Sequence, residues 1–153
     1  MSYKRFQELR VYQLAERLAD DIWKIVDGWE SVPKNTVGIQ IIRSADSIGA
    51  NIAEGVGRGS YQDNRRFVKM ARGSLNETLH WLRRAYNRKL LTEEQINTLK
   101  LLINDLEPQL NAYLKSIGRT PKDESLITNI ALPTLVRYSK KELTADRRGW
   151  TLS

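Results

Sequence analysis

The sequence predicts an all-α protein, an antiparallel up-and-down four-helix bundle followed by an extended C-terminal tail. Apolar residues recur at helical spacing in four successive segments, and the few glycines and prolines fall mostly where a segment ends. The loops between the segments are short, which makes consecutive helices antiparallel neighbours. We therefore expect a bundle domain over residues 1–118 and a tail over residues 119–153.

The first two predicted helices both end in glycine-containing segments. The first covers about residues 7–28, because its apolar stripe stops at Gly28 with a proline shortly after. The second covers about residues 34–54, because the glycine-rich stretch 55–59 disfavours a helix interior.

The other two predicted helices have clearer boundaries. The third covers residues 61–89 and carries its apolar groups on one face. The fourth opens at Thr92, where Gln95 three residues on completes a capping box, and it stops at Gly118.

The tail differs from the bundle because it mixes charges without a helical period. Two interpretations are open: an extended segment that becomes ordered only against a partner, or a segment that packs back on its own bundle.

Composition excludes several classes of protein. The chain has no cysteine, so disulfides and thiolate metal sites are excluded. The amino terminus does not reach the apolar run that a signal peptide needs, and no apolar stretch is long enough to cross a membrane. These features predict a soluble cytoplasmic protein.

Positive charge is concentrated in the third helix. Residues 61–91 contain eight lysines or arginines, six of them arginine, and two acidic residues. At about 100° per residue, Lys69, Arg72 and Arg83 fall within roughly 40° of Arg65 and away from the core face. The arginines that widen this face along one flank are Arg66, Arg84 and Arg88.

Arginine favours a phosphate-binding interpretation of this stripe, because its planar group binds phosphate oxygens in pairs. We therefore expect RNA or DNA to bind here through its phosphate backbone. The alternative is a merely solvated helix face, or one whose charges pair with the acidic first helix of a neighbouring subunit.

A second apolar flank of the first helix predicts self-association. Its members are Tyr12, Ala19, Trp23 and Val26. Large aromatic residues concentrate at protein interfaces, although tyrosine and tryptophan also lie at the rim of a core.

Catalytic, metal and cofactor sites are not expected. The stretch 55–60 only loosely resembles a dinucleotide fingerprint, because Ser60 replaces the third glycine and a helix precedes it. Glu77 and His80 have the spacing of a metal-ligand pair in a bundle. A dinuclear site needs two such pairs, and the chain has one histidine.

Several motifs resemble those of one protein family. They are Phe6-Gln7-Glu8-Leu9, Val11-Tyr12-Gln13, Gln40 with Arg43, Ser47-Ile48, Asn51-Ile52-Ala53-Glu54-Gly55, Arg66-Phe67, Ala71-Arg72-Gly73-Ser74 and Glu77. Over residues 5–117 the chain resembles the four-helix bundle proteins encoded in intervening sequences of large-subunit ribosomal RNA.

The resemblance implies a homo-oligomer, a five-subunit barrel. The run Glu77–Ala85, with Arg88, is similar to the accessory variability proteins of diversity-generating retroelements, which bind nucleic acid and a reverse transcriptase through a basic surface. A non-catalytic scaffold that holds nucleic acid for a reverse transcriptase is thus implied. The alternative is a structural or protein-interaction bundle that binds no nucleic acid.

The motif residues are expected to have structural roles. Asn51 and Glu54 are placed to hydrogen-bond the glycine turn or Arg43 of the same helix. Gly55 is expected to supply a left-handed helix end. A close approach of a neighbouring helix is expected at Gly73 and Ser74.

Overall fold

Four long helices follow one another in the computed structural model, which describes residues 5–119. They are α1 (Arg10–Asp27), α2 (Ile39–Gly57), α3 (Tyr61–Asn87) and α4 (Glu93–Ser116). Each helix packs against the next along the chain, and α4 closes the bundle against α1. The predicted all-α bundle is confirmed, whereas the predicted tail from residue 120 onward lies outside the described residues.

Short helical turns precede the first two helices. A 3-10 turn, Phe6–Glu8, leads into α1. A single α-helical turn, Ser31–Pro33, and a π-helical turn, Lys34–Gly38, run without a break into α2. Gly38 lies so close to α1 that a Cβ there would be 2.6 Å from Val26 Cγ1, so this turn needs a residue without a side chain.

The core is built from the apolar stripes of all four helices. Leu18 and Ile22 of α1, Ile48 of α2, Leu75 of α3 and Leu106 of α4 are almost completely buried. Each such side chain contributes about 1.5–3 kcal/mol to folding through its removal from water. The core is thus the main source of the stability of the bundle.

Helix α2 continues through the glycine-rich stretch, and the predicted end at residue 54 was wrong. Gly55 and Gly57 both lie inside the helix. A Cβ at Gly55 would lie 2.5 Å from Asn64 Oδ1 and 3.2 Å from Phe67 Cβ. Gly55 therefore permits a close crossing of α2 and α3 and is not a left-handed helix end.

The ends of α3 and α4 follow ordinary capping chemistry. Ser60 Oγ accepts a hydrogen bond from the Asp63 backbone N–H at 3.2 Å. The predicted capping box is confirmed: Gln95 N–H donates to Thr92 Oγ1 at 3.1 Å, and Thr92 N–H donates to Gln95 Oε1 at 2.9 Å. At the start of each helix, a side chain thus accepts a hydrogen bond from a backbone N–H group that has no acceptor within the helix.

Candidate nucleic-acid interface

The cations of α3 form two rows that lean toward different neighbouring helices. Arg65 Nη1 donates a 2.9 Å hydrogen bond to the Ile117 carbonyl at the end of α4. Arg66 places its guanidinium 5.0 Å from the centre of the Phe67 ring, and Phe67 faces Gly55 of α2. Since helix positions advance by about 100° per residue, the other cations divide in the same way. The α4-side row is Arg65, Lys69, Arg72 and Arg83, and the α2-side row is Arg66, Arg84 and Arg88.

Lys69 and Arg72 are the members of the α4-side row best placed to meet a phosphate. Both are exposed, and within residues 5–119 neither takes part in an ion pair. Arg83 is also exposed and extends the row about 16 Å beyond Arg72, at 1.5 Å per residue. The row therefore offers cations over several turns of a rigid helix.

Arg65 has a structural role that the helical wheel did not predict. It is half-buried, and its hydrogen bond to Ile117 satisfies one of the carbonyls that the end of α4 leaves open. Gly118 follows with φ of 78°, and a Cβ there would lie 2.9 Å from Arg65 Nη1 and 3.2 Å from Tyr61 Cγ. Arg65, Tyr61 and Gly118 thus hold the end of α4 against the start of α3.

The α2-side row begins at an aromatic cluster between α2 and α3. Arg66 lies 3.6 Å from Asp63 in an exposed ion pair, and Arg58 lies over the same Phe67 ring at 4.8 Å. Arg58 also pairs with Glu54 at 2.8 Å. The sequence-based prediction missed Arg58, although its position four residues after Glu54 was a usable signal. Arg84 is half-buried and Arg88 is exposed.

The predicted interface flank of α1 is only partly on the surface. Trp23 is 58% exposed, and Tyr12 and Ala19 are half-buried. The prediction was wrong for Val26, which is 2% exposed because the π-helical turn brings Gly38 against it.

The face between α1 and α2 is acidic. Burial raises the pKa of the Tyr12 hydroxyl, and so do a hydrogen bond with Glu16 and the charges of Glu16 and Asp20. Burial likewise raises the pKa of Asp46 on α2, with a contribution from the negative charge of Asp20 on α1. All three carboxylates are exposed, and none is in an ion pair within the described part of the chain.

The polar motif residues of α2 bond mainly within their own helix. Asn51 Nδ2 donates to the Ser47 carbonyl at 2.8 Å, one turn back, whereas the prediction was a bond to the glycine turn or to Arg43. Glu54 does contact the glycine-rich stretch, but it does so by an ion pair with the side chain of Arg58. Arg43 is exposed on the outer side of the helix.

Gly73 on α3 faces open space. A Cβ there would meet no atom within 4 Å among residues 5–119, so the predicted close approach does not occur between helices of one chain. Ser74 is half-buried, and its carbonyl accepts a hydrogen bond from Thr78 Oγ1 at 2.8 Å. The outer surface of α3 is therefore bare at Gly73.

The structure gives no support to a metal centre built from Glu77 and His80. Residues 5–119 contain no cluster of three or more potential ligand side chains. Glu77 instead accepts a 3.4 Å hydrogen bond from Trp81 Nε1, and the His80 ring lies edge-on to Trp81. In the same part of the chain, the helices are too short or too polar for any of them to span a bilayer.

The comparison with known families agrees with the motifs. None of the curated proteins compared with the chain matches it. A family model described as 23S rRNA-intervening sequence protein matches residues 7–112, which include α1, α2, α3 and most of α4. The chain therefore belongs to the 23S rRNA-intervening sequence protein family.

Proposed function

We propose that this member of the 23S rRNA-intervening sequence protein family is a non-catalytic oligomeric scaffold that binds nucleic acid along α3. The observation that carries the proposal is the pair Lys69 and Arg72, which are exposed in the α4-side row and unpaired within residues 5–119. Cations fixed on a rigid helix can follow a phosphate backbone without reading bases. Binding is therefore steeply dependent on salt and nearly independent of sequence.

The proposed assembly is a homopentamer that presents the row once in each subunit. Several weak contacts with one strand then multiply by avidity, provided that the strand reaches more than one subunit. Exposed Trp23, with half-buried Tyr12 and Ala19, supports self-association, because aromatic groups are enriched at interfaces.

The proposed partner beyond nucleic acid is the reverse transcriptase of a diversity-generating retroelement. Its support is the run Glu77–Ala85 with Arg88, which is similar to the accessory proteins of those elements. The genes beside this reading frame test it, since a reverse transcriptase and a pair of variable repeats are expected there. Ribosomal RNA genes alone on both sides would contradict the retroelement assignment.

The binding experiment is a titration of labelled single- and double-stranded RNA and DNA at low salt. Lys69→Glu with Arg72→Glu should weaken binding at least tenfold and lower the salt slope by about 0.7–0.9 for each phosphate that the variant no longer neutralises. Arg17→Glu with Lys24→Glu on α1 is the matched control, since it reverses one arginine and one lysine at exposed positions. Equal losses from both pairs would mean that a diffuse positive field binds, and not the row.

The acidic face between α1 and α2 favours a second candidate function. In that candidate the cations of α3 pair only with Glu16, Asp20 and Asp46 of another subunit, and the protein is a structural or protein-interaction bundle. Unchanged oligomers that bind no nucleic acid at low salt would favour it over the scaffold.

A further inference from the structure

We infer that the acidic face between α1 and α2 docks the α2-side row of α3 from a second copy of the chain. The two rows of α3 then have different partners: the α2-side row meets protein, and the α4-side row meets phosphate. The inference rests on the self-association in the proposed function and specifies which surfaces meet.

The accepting face combines exposed carboxylates that form no ion pair within residues 5–119 with exposed apolar groups. Burial raises the pKa of Asp46 on α2, and the negative charge of Asp20 on α1 adds to the effect across the two helices. Trp23 is 58% exposed on α1 and Ile39 is 43% exposed on α2. Arg43 is the exposed cation on the outer side of α2, and within residues 5–119 it forms no ion pair with these acids. A cationic, partly apolar surface would complement this face.

The α2-side row is cationic and partly apolar. Arg66 and Arg84 are about 27 Å apart along α3, at 1.5 Å per residue. Between them Met70 is 49% exposed, and Gly73 leaves the next turn without a side chain. Glu77 is the acidic member of this stretch, and its carboxylate already accepts the Trp81 N–H. Methionine, arginine and tryptophan are all enriched where proteins meet, so the two surfaces match in chemistry as well as charge.

The geometry makes this contact head-to-tail. The acidic face belongs to α1 and α2, and the α2-side row belongs to α3. Each copy therefore contacts one neighbour through its acidic face and the other neighbour through its α2-side row. Such contacts build rings when the rotation between copies closes. The α4-side row begins at the end of α4, where Arg65 bonds to Ile117, so we expect docking of the α2-side row to leave Lys69 and Arg72 accessible to phosphate.

Charge exchange between the surfaces tests the inference on the full chain by sedimentation equilibrium. Arg66→Glu with Arg84→Glu, or Asp20→Lys with Asp46→Lys, should reduce the mass toward the monomer value of 17.7 kDa. A chain that carries all four changes should reassemble, since the charges are complementary again. Mixing the two defective chains should give species heavier than the monomer, because each chain complements the other, but not a closed ring of five, which cannot alternate two kinds of chain. An unchanged mass in the arginine variant, or no recovery in the fourfold variant, would overturn the inference.

Gly73→Gln is a second variant that does not depend on charge. A side chain fits there in the isolated chain and improves helix propensity, so folding is preserved, but it obstructs a docked neighbour. Circular dichroism should be unchanged while the mass falls. A full-mass Gly73→Gln oligomer would contradict docking at this turn, as would a wild-type chain that is monomeric at tens of micromolar.

Nucleic-acid binding distinguishes failure of the inference from failure of the proposed function. Lys69→Glu with Arg72→Glu should weaken binding at least tenfold but keep the oligomer mass. If the Arg66 and Arg84 variant fails to bind nucleic acid and keeps its mass, the docking inference fails and the scaffold proposal stands. If assembly follows the charge exchange but no variant and no wild-type chain binds nucleic acid, docking stands and the scaffold proposal fails.

Discussion

The inner and outer sides of α3 use glycine in opposite ways. On the inner side, Gly55 of α2 lies so close to Asn64 and Phe67 that no side chain fits. On the outer side, Gly73 has free space around the position of a Cβ within residues 5–119. The first glycine is required by contacts inside the chain, whereas the second has no explanation there. A glycine in a family motif can thus serve the core of a bundle or a surface outside it.

The largest expected effect is at the inner side. Gly55→Ala should destabilise the bundle by about 1–3 kcal/mol, because the added methyl group forces α2 and α3 apart. Urea denaturation followed by circular dichroism measures the change. Gly57→Ala is the control, since that glycine lies in the same helix with open space around it, and it should be neutral or slightly stabilising. Equal effects at both glycines would mean that the crossing is not tight.

A substitution on the outer side of α3 should change the free energy of unfolding in the opposite direction. Gly73→Ala should stabilise the isolated chain by about 0.5–1 kcal/mol, because alanine loses less backbone entropy in a helix. The comparison belongs in the Arg66→Glu and Arg84→Glu background, where contacts between copies do not contribute. A destabilising Gly73→Ala in that background would show that the outer side of α3 is packed within the chain.

The smallest effect concerns the acidic face. The raised pKa of Asp46 means that its ionised form destabilises the folded state, fully at pH values above that pKa. The free energy of unfolding therefore rises as the pH falls through the pKa of Asp46 and this carboxyl becomes protonated. In the Arg66→Glu and Arg84→Glu background, where contacts between copies do not contribute, Asp46→Asn should raise the Tm slightly at pH 7. The gain should vanish at about pH 3, below the unfolded-state aspartate pKa of about 3.9.

A double-mutant cycle isolates the cause of that gain. Because Asp20 contributes to the raised pKa, Asp46→Asn should have less effect in a chain that already carries Asp20→Asn. A gain in Tm that is the same at both pH values would rule out titration of Asp46 as its source.

Helix number and the start of α4 could be predicted from the sequence because both depend on local rules. Apolar periodicity defines a helix face, and the Thr92 and Gln95 pair is a cap that needs no tertiary contact. The extension of α2 through Gly55 could not be predicted, because close packing on α3 outweighs the low helix propensity of glycine.

The sequence separated the cations of α3 into a stripe and a flank, but it did not assign either set to a neighbouring helix. A helical wheel gives the angle of each residue, but not which helix lies on either side of it. The contacts of Arg65 with Ile117 and of Arg66 with Phe67 supply that orientation. The same limit explains why the burial of Val26 was not predicted, since it depends on the π-helical turn at Gly38.

The contact that Arg65, Tyr61 and Gly118 make between the end of α4 and the start of α3 also determines where a reporter group could be attached. It brings residue 119 to the amino-terminal end of α3, where the α4-side row begins. Because the 153 residues include no cysteine, Arg119→Cys would introduce a single thiol for one fluorophore. Energy transfer from that fluorophore to the labelled end of an oligonucleotide would distinguish a strand that runs along the row from one that crosses it.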